Sequence, residues 1–213
     1  MNQRLYAQAT SLALFTIFYN ILEGVISVWF GVADETLSLF GFGLDSFIEV
    51  ISAVGIWHLV KRINGNGGES RDDFEQRALK TTGGAFYALT LILIITAINN
   101  ILVGKKPETT LAGVIISTIS ILFMWYLIRQ KRKIGTVLNS RAMLADAACA
   151  QACVYLSITL LLSSLAYTIT GFGLIDSLGA LGIAWFTYRE GKESLNKAKG
   201  LDCCCSCSCT ESI

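Results

Sequence analysis

Charge is scarce in this chain. Only 15% of its 213 residues are Asp, Glu, Lys or Arg, while 53% are hydrophobic; an average soluble domain carries about 25% charged residues. A soluble protein of this composition would aggregate, so a polytopic membrane protein is the expected class. The formal net charge of +1 argues against a nucleic-acid partner. Histidine occurs once, as His58. No Ser-His-Asp set can be assembled, no motif joins a nucleophile to a base, and an enzyme is not expected. The Gly-rich stretch NGNGGESRDD lacks the G-x-x-x-x-G-K-[ST] pattern of a phosphate loop, so nothing points to ATP hydrolysis. The opening MNQR runs directly into an apolar stretch with no small-residue cleavage site. It reads as a retained first helix, not a signal peptide.

Six apolar segments remain, at about residues 8–32, 37–60, 82–103, 111–128, 142–169 and 172–188. Most approach or exceed the ~20 residues that cross a hydrocarbon core as a helix; the sixth is the shortest. None alternates with period two, which sets aside a membrane β-barrel. The basic residues orient the helices. Arg4, the loop KRINGNGGESRDDFEQRALK, the stretch from Arg129 to Arg141, and the end of the chain from Arg189 hold all but two of the 17 Lys and Arg. Only Lys105 and Lys106 fall on the other side. The expected fold class is therefore an all-α membrane protein of six transmembrane helices with cytoplasmic N- and C-termini. Residues 1–192 form a six-helix cation-transport domain and residues 193–213 a cytoplasmic Cys-rich tail. Trp57, Trp125, Trp185 and Tyr188 fall near the inner ends, as in an aromatic belt.

The few acids inside these segments are Glu23, Asp45, Glu49, Asp146 and Asp176. A charge at the bilayer centre costs on the order of 3 kcal/mol on insertion scales, so two in one helix need a reason. In GLDSFIEVIS, Asp45 and Glu49 stand at i and i+4 on one helical face. Either protons or a bound cation must relieve their repulsion, and exchange between those states outlines a metal–proton antiport. A pair of protonated acids bonded across helices for packing is the alternative. In ADAACAQACVYL, Cys149 and Cys153 repeat the i, i+4 spacing, three residues after Asp146. Antiparallel second and fifth helices would set Asp45 level with Cys153 and Glu49 level with Cys149. Two carboxylates and two thiolates give the four ligands of a tetrahedral site, and sulfur favours softer metals. A plain packing role competes with this, since cysteine is small and suits an apolar interface.

LDSFIE, RAMLADAACAQAC and FGLIDSLGALGIAWFTYREG resemble, in order, motifs of the cation diffusion facilitator family, which exchanges divalent transition metals for protons. The resemblance covers roughly residues 8–192. It implies six helices with both ends cytoplasmic and a mid-membrane site built from D-x-x-x-D and H-x-x-x-D. On that alignment Asp45 and Glu49 take the first pair, Cys149 and Cys153 the second, and Asp146 and Asp176 match acids flanking the ligands. Three departures stand out. Glu49, Cys149 and Cys153 replace Asp, His and Asp. The cytoplasmic domain of the family is absent after the sixth helix. The loop between the second and third helices has no clear Asp-His site, and Asp72 and Asp73 are a weak substitute.

The chain closes with LDCCCSCSCTESI, where Cys203, Cys204, Cys205, Cys207 and Cys209 crowd together. Facing the reducing cytosol, they are unsuited to a disulfide framework and suited to capturing soft metal. S-acylation and an idle low-complexity end compete with metal capture as the role of these cysteines. The expected function is a secondary transporter of a thiophilic transition or heavy metal (Zn, Cd, Hg or Cu), driven outward by protons, in a prokaryotic inner membrane. It would have no prosthetic group, and its partners would be metal ions, protons, lipid and a second copy joined through membrane helices. Glu23, Asp146 and Asp176 are candidates for a pathway or proton relay, with packing as the other role for Glu23. A non-transporting metal sensor or scaffold that binds through the tail is the alternative.

Overall fold

The structure is a computed structural model that describes residues 2–34, 36–64, 73–104, 106–107, 110–137 and 141–199; of residues 2–6, 56, 63–64, 74–75, 141–146 and 148–149 it describes the backbone only. Among the described residues six helices follow one another: α1 (Asn2–Ala33), α2 (Leu37–Asn64), α3 (Asp73–Val103), α4 (Leu111–Val137), α5 (Arg141–Thr170) and α6 (Leu174–Ala198). Among the described residues there is no strand. Five of the helices contain stretches long and apolar enough to cross a membrane: Ala7–Ala33, Leu37–Arg62, Gln76–Val103, Leu111–Val137 and Ala150–Thr170. The sixth packs among them, along α3 and against α2 and α5.

Several helices outrun the apolar segments read from the sequence. α3 begins at Asp73 instead of residue 82, α4 continues to Val137, and α6 to Ala198. Hydropathy marks only the part of a helix suited to hydrocarbon. The hydrogen-bonded ladder continues into polar sequence when nothing there breaks it, and no Pro interrupts these extensions. At their other ends α3 and α5 stop at Gly104 and Gly171. Their φ values of 73° and 68° lie in the left-handed region that closes a helix, and each N–H bonds back to a carbonyl four residues earlier.

The chain runs up and down. The C-terminal halves of α2, α4 and α6 meet the N-terminal halves of α1, α3 and α5 around one cavity. At the opposite end, Tyr167 donates to the Pro107 carbonyl at 2.5 Å and Thr110 to the Ser164 carbonyl at 3.0 Å, tying the α3–α4 connection to α5. The core joins α2, α3, α5 and α6 through Leu39, Phe42, Leu93, Leu160 and Ile183. Polar contacts cross between helices as well, Thr90 to Thr187 at 2.9 Å and Ser157 to Ser120 at 3.0 Å. Such hydrogen bonds, with small residues, hold helices together where lipid removes the hydrophobic drive to associate.

α1 and α2 pack backbone close against backbone. A Cβ on Gly43 would fall 2.8 Å from the Val28 nitrogen, and one on Gly31 would fall 2.5 Å from the Phe40 nitrogen. Only a residue without a side chain fits either place. The outer surface is apolar: Phe18, Leu102, Leu122 and Ile169 are all exposed. An exterior this apolar, around a core that buries Asp45 and Asp176, is the arrangement of a protein bathed in lipid.

Three tryptophans mark one end of the bundle. On α2, α4 and α6 each is followed one turn later by a cation set against its ring: Lys61 at 5.3 Å from Trp57, Arg129 at 3.6 Å from Trp125, and Arg189 at 5.1 Å from Trp185. Cation–π attraction fixes these long side chains along the aromatic faces. It is the same end at which the polar cavity lies, since Lys131 and Glu190 line that cavity.

Candidate functional site

Asp45 and Glu49 lie one turn apart on α2, as their spacing requires. Asp45 is 1% exposed, and among the described residues its Oδ1 has no hydrogen-bond partner. Glu49 is fully engaged. Its Oε2 accepts from Asn20 Nδ2 of α1 at 3.1 Å, and its Oε1 accepts from the Cys153 thiol of α5. Three helices therefore converge on one carboxylate. Cys153 is buried against Met124 and Leu127 of α4.

Glu49 meets Cys153, which the sequence set level with Asp45. Cys149 lies one turn earlier on α5, and its side chain and that of Asp146 are outside the described residues. So are Asp72 and the whole tail with Cys203, Cys204, Cys205, Cys207 and Cys209. Among the described residues no three His, Cys, Asp or Glu side chains stand close enough together to hold a metal ion.

Glu23 sits beside this centre on α1, buried. Its Oε1 accepts from Tyr19 at 2.9 Å and its Oε2 from Ser46 of α2 at 3.2 Å. Asp45 thus has Glu49, Glu23 and Glu190 as electrostatic neighbours, an arrangement that attracts cations. Asp176 is far from them. It accepts from the Leu37 and Ser38 amides at 2.8 and 3.1 Å and from the Ser38 hydroxyl. It also occupies the first turn of α6, so one carboxylate serves two helix N-termini, where the partial positive charge of the backbone gathers.

Below Glu49 a cavity of about 40 Å³ opens toward the tryptophan-marked end, lined among others by Asn20, Glu49, Ser52, Lys131, Cys153 and Glu190. A water needs roughly 10–15 Å³ of such space and two to four polar partners, so the cavity suits a few waters or a small ion. Lys131 and Glu190 were not visible as site residues in the sequence. Lys131 follows the apolar part of α4 and reads as one more loop charge, yet its side chain is 2% exposed. Glu190 lies past the apolar part of α6. Burial, then Glu193, push its carboxyl up to about 7, against the pull of Lys197 and Arg189. Asn20 and Tyr19 carried a weak signal: with Glu23 they form a polar face in an otherwise apolar helix.

No family model matches this chain, and no curated protein matches it.

Proposed function

We propose that the chain is a secondary transporter of a thiophilic transition or heavy metal cation of the Zn, Cd, Hg or Cu kind, moved out of the cytoplasm in exchange for protons. The observation that carries this reading is the contact between the Cys153 thiol and the Glu49 carboxylate, one turn from Asp45, whose Oδ1 has no partner among the described residues, and above a polar cavity. Sulfur and oxygen there share a proton. A soft cation arriving through the cavity displaces that proton and binds both atoms, with Asp45 as a further ligand and Cys149 as the fourth. Protons arriving from the other side reverse the exchange, so each metal ion that leaves is matched by protons that return. Rocking of the helix pairs exposes the site alternately.

In this reading all six helices cross the inner membrane of a prokaryote with both ends in the cytoplasm, as the Trp and Lys/Arg pairs at one end and the distribution of basic residues favour. The likeness of its motifs to the cation diffusion facilitator family agrees with it, as does an assembly of two copies through membrane helices. The test is metal flux into vesicles reconstituted with purified protein under an imposed pH gradient. Metal uptake coupled to proton counterflux is expected, abolished in Glu49→Gln combined with Cys149→Ser. Unchanged flux in that variant sinks the site, and no flux in the wild type sinks the transporter.

A further inference from the structure

A second space in the molecule has different chemistry. Between α1 and α4, a groove of about 620 Å³ runs along the apolar exterior, within the size range of drug-binding pockets. Its walls are apolar, with Ile26 and Phe30 on one side and Ile115 and Ile119 on the other. The groove exists because the two helices touch closely at one end only. There Tyr19 stacks on Phe123 with ring centroids 3.7 Å apart, and Phe15 packs on the same ring at 5.4 Å. Beyond that stack the helices part.

Charge sets this groove apart from an ordinary slot for lipid. Glu23 lies on it near the stacked rings and Asp34 at the far end, about 16 Å away along α1 at 1.5 Å per residue. Among the described residues the lining contains two acids and no Lys, Arg or His. The donors to Glu23, the hydroxyls of Tyr19, Ser46 and Ser120, are all neutral, so once it is ionised its negative charge is left for something else to balance. A lipid acyl chain brings no charge to do so. A small inorganic cation brings charge but cannot cover the apolar walls. An organic cation with a large apolar body supplies both, and Tyr19 and Phe30 add aromatic rings of the kind that attract quaternary cations.

We propose that the α1–α4 groove is a binding site for lipophilic organic cations, entered from the bilayer, with Glu23 as the counter-ion. The site is separate from the cavity below Glu49, and its occupant need not be the metal cargo. Glu23 stands at the meeting of the two, bonded through Ser46 to the helix that carries Asp45 and Glu49.

Tetraphenylphosphonium and tetraphenylborate share a shape and differ in sign. Equilibrium binding of each to the full-length protein in lipid nanodiscs tests the idea directly. Saturable binding of the phosphonium and none of the borate is expected. Glu23→Gln, whose amide can accept from one of Tyr19 and Ser46 and donate to the hydroxyl oxygen of the other, should weaken phosphonium binding roughly tenfold or more. Ile115→Trp, which fills the groove without touching Glu23, should weaken it as well. Equal binding of the two ions, as a neutral lipid slot would give, overturns the proposal. So does absence of saturable phosphonium binding, or wild-type affinity in either variant. Should Glu23→Gln fail to fold, the comparison of the two ions and the Ile115→Trp variant still decide the matter.

Discussion

Glu49 on α2 accepts a hydrogen bond from the thiol of Cys153 on α5, 104 residues along the chain. The contact places a hard and a soft donor side by side, and the proposed choice of metal follows from it. Cys153→Ser keeps a hydrogen-bonding group of similar size and removes the sulfur. Cadmium transport should fall by roughly tenfold relative to zinc, because thiolate selects for soft ions. Side-by-side flux of the two metals in vesicles measures it; an unchanged ratio would show that Cys153 does not touch the cargo.

Lys131 shares a cavity with Glu49 and Glu190, and its ammonium repels any cation entering there. Lys131→Gln should tighten metal binding several-fold by removing that like charge. Isothermal titration of the detergent-purified protein reads the change, with Lys131→Arg expected to bind as the wild type does.

Asp176 bonds to two amides and a hydroxyl at the start of α2. Asp176→Ala removes both acceptor oxygens, and with them all three bonds, and should cost about 1–2 kcal/mol, the usual loss for a helix cap. Asp176→Asn keeps one acceptor oxygen but loses the bond from at least one amide, together with the interaction of charge with the helix termini, the latter about 0.3–1 kcal/mol. Thermal unfolding in detergent should rank the two in that order.

How much of this was legible in the sequence depends on the distance between partners. The shared face of Asp45 and Glu49 is a matter of helical spacing, and the sequence displays it. Asp176 was equally conspicuous as a buried acid, but its bonds are to residues 138 and 139 positions away, and no local pattern foretells them. Lys131 was misleading for a different reason. A lysine after an apolar run is ordinarily a membrane-edge anchor, with its stem along the protein and its head in water. Here α4 continues as a helix for another turn and more, and the bundle closes around the side chain.

Glu190 gives a pH dependence. Its carboxyl is raised from 4.5 to about 7 by burial and by Glu193, so the folded protein holds a proton there that the unfolded chain releases. Stability from this group is full below pH 4.5 and declines as pH rises through 7. Glu190→Gln should flatten the decline of melting temperature between those values. A profile identical to the wild type would mean that Glu190 is better hydrated than its surroundings indicate.

Gly43 stands against the α1 backbone, with 2.8 Å between its would-be Cβ and the Val28 nitrogen. Gly43→Ala should force the helices apart and cost about 1–3 kcal/mol, as overpacking does. Loss of melting temperature should come with weaker cation binding, since the same two helices hold Asn20 against Glu49.

The three tryptophan–cation pairs at the ends of α2, α4 and α6 bear on how the chain is made. Each belongs to a single helix and needs no neighbour, so it exists before the bundle assembles. A nascent helix that entered the bilayer in the wrong sense would drag its own ring and cation to the far leaflet. In the proposed topology each pair would therefore favour the same sense of insertion for its own helix, independently of the other two.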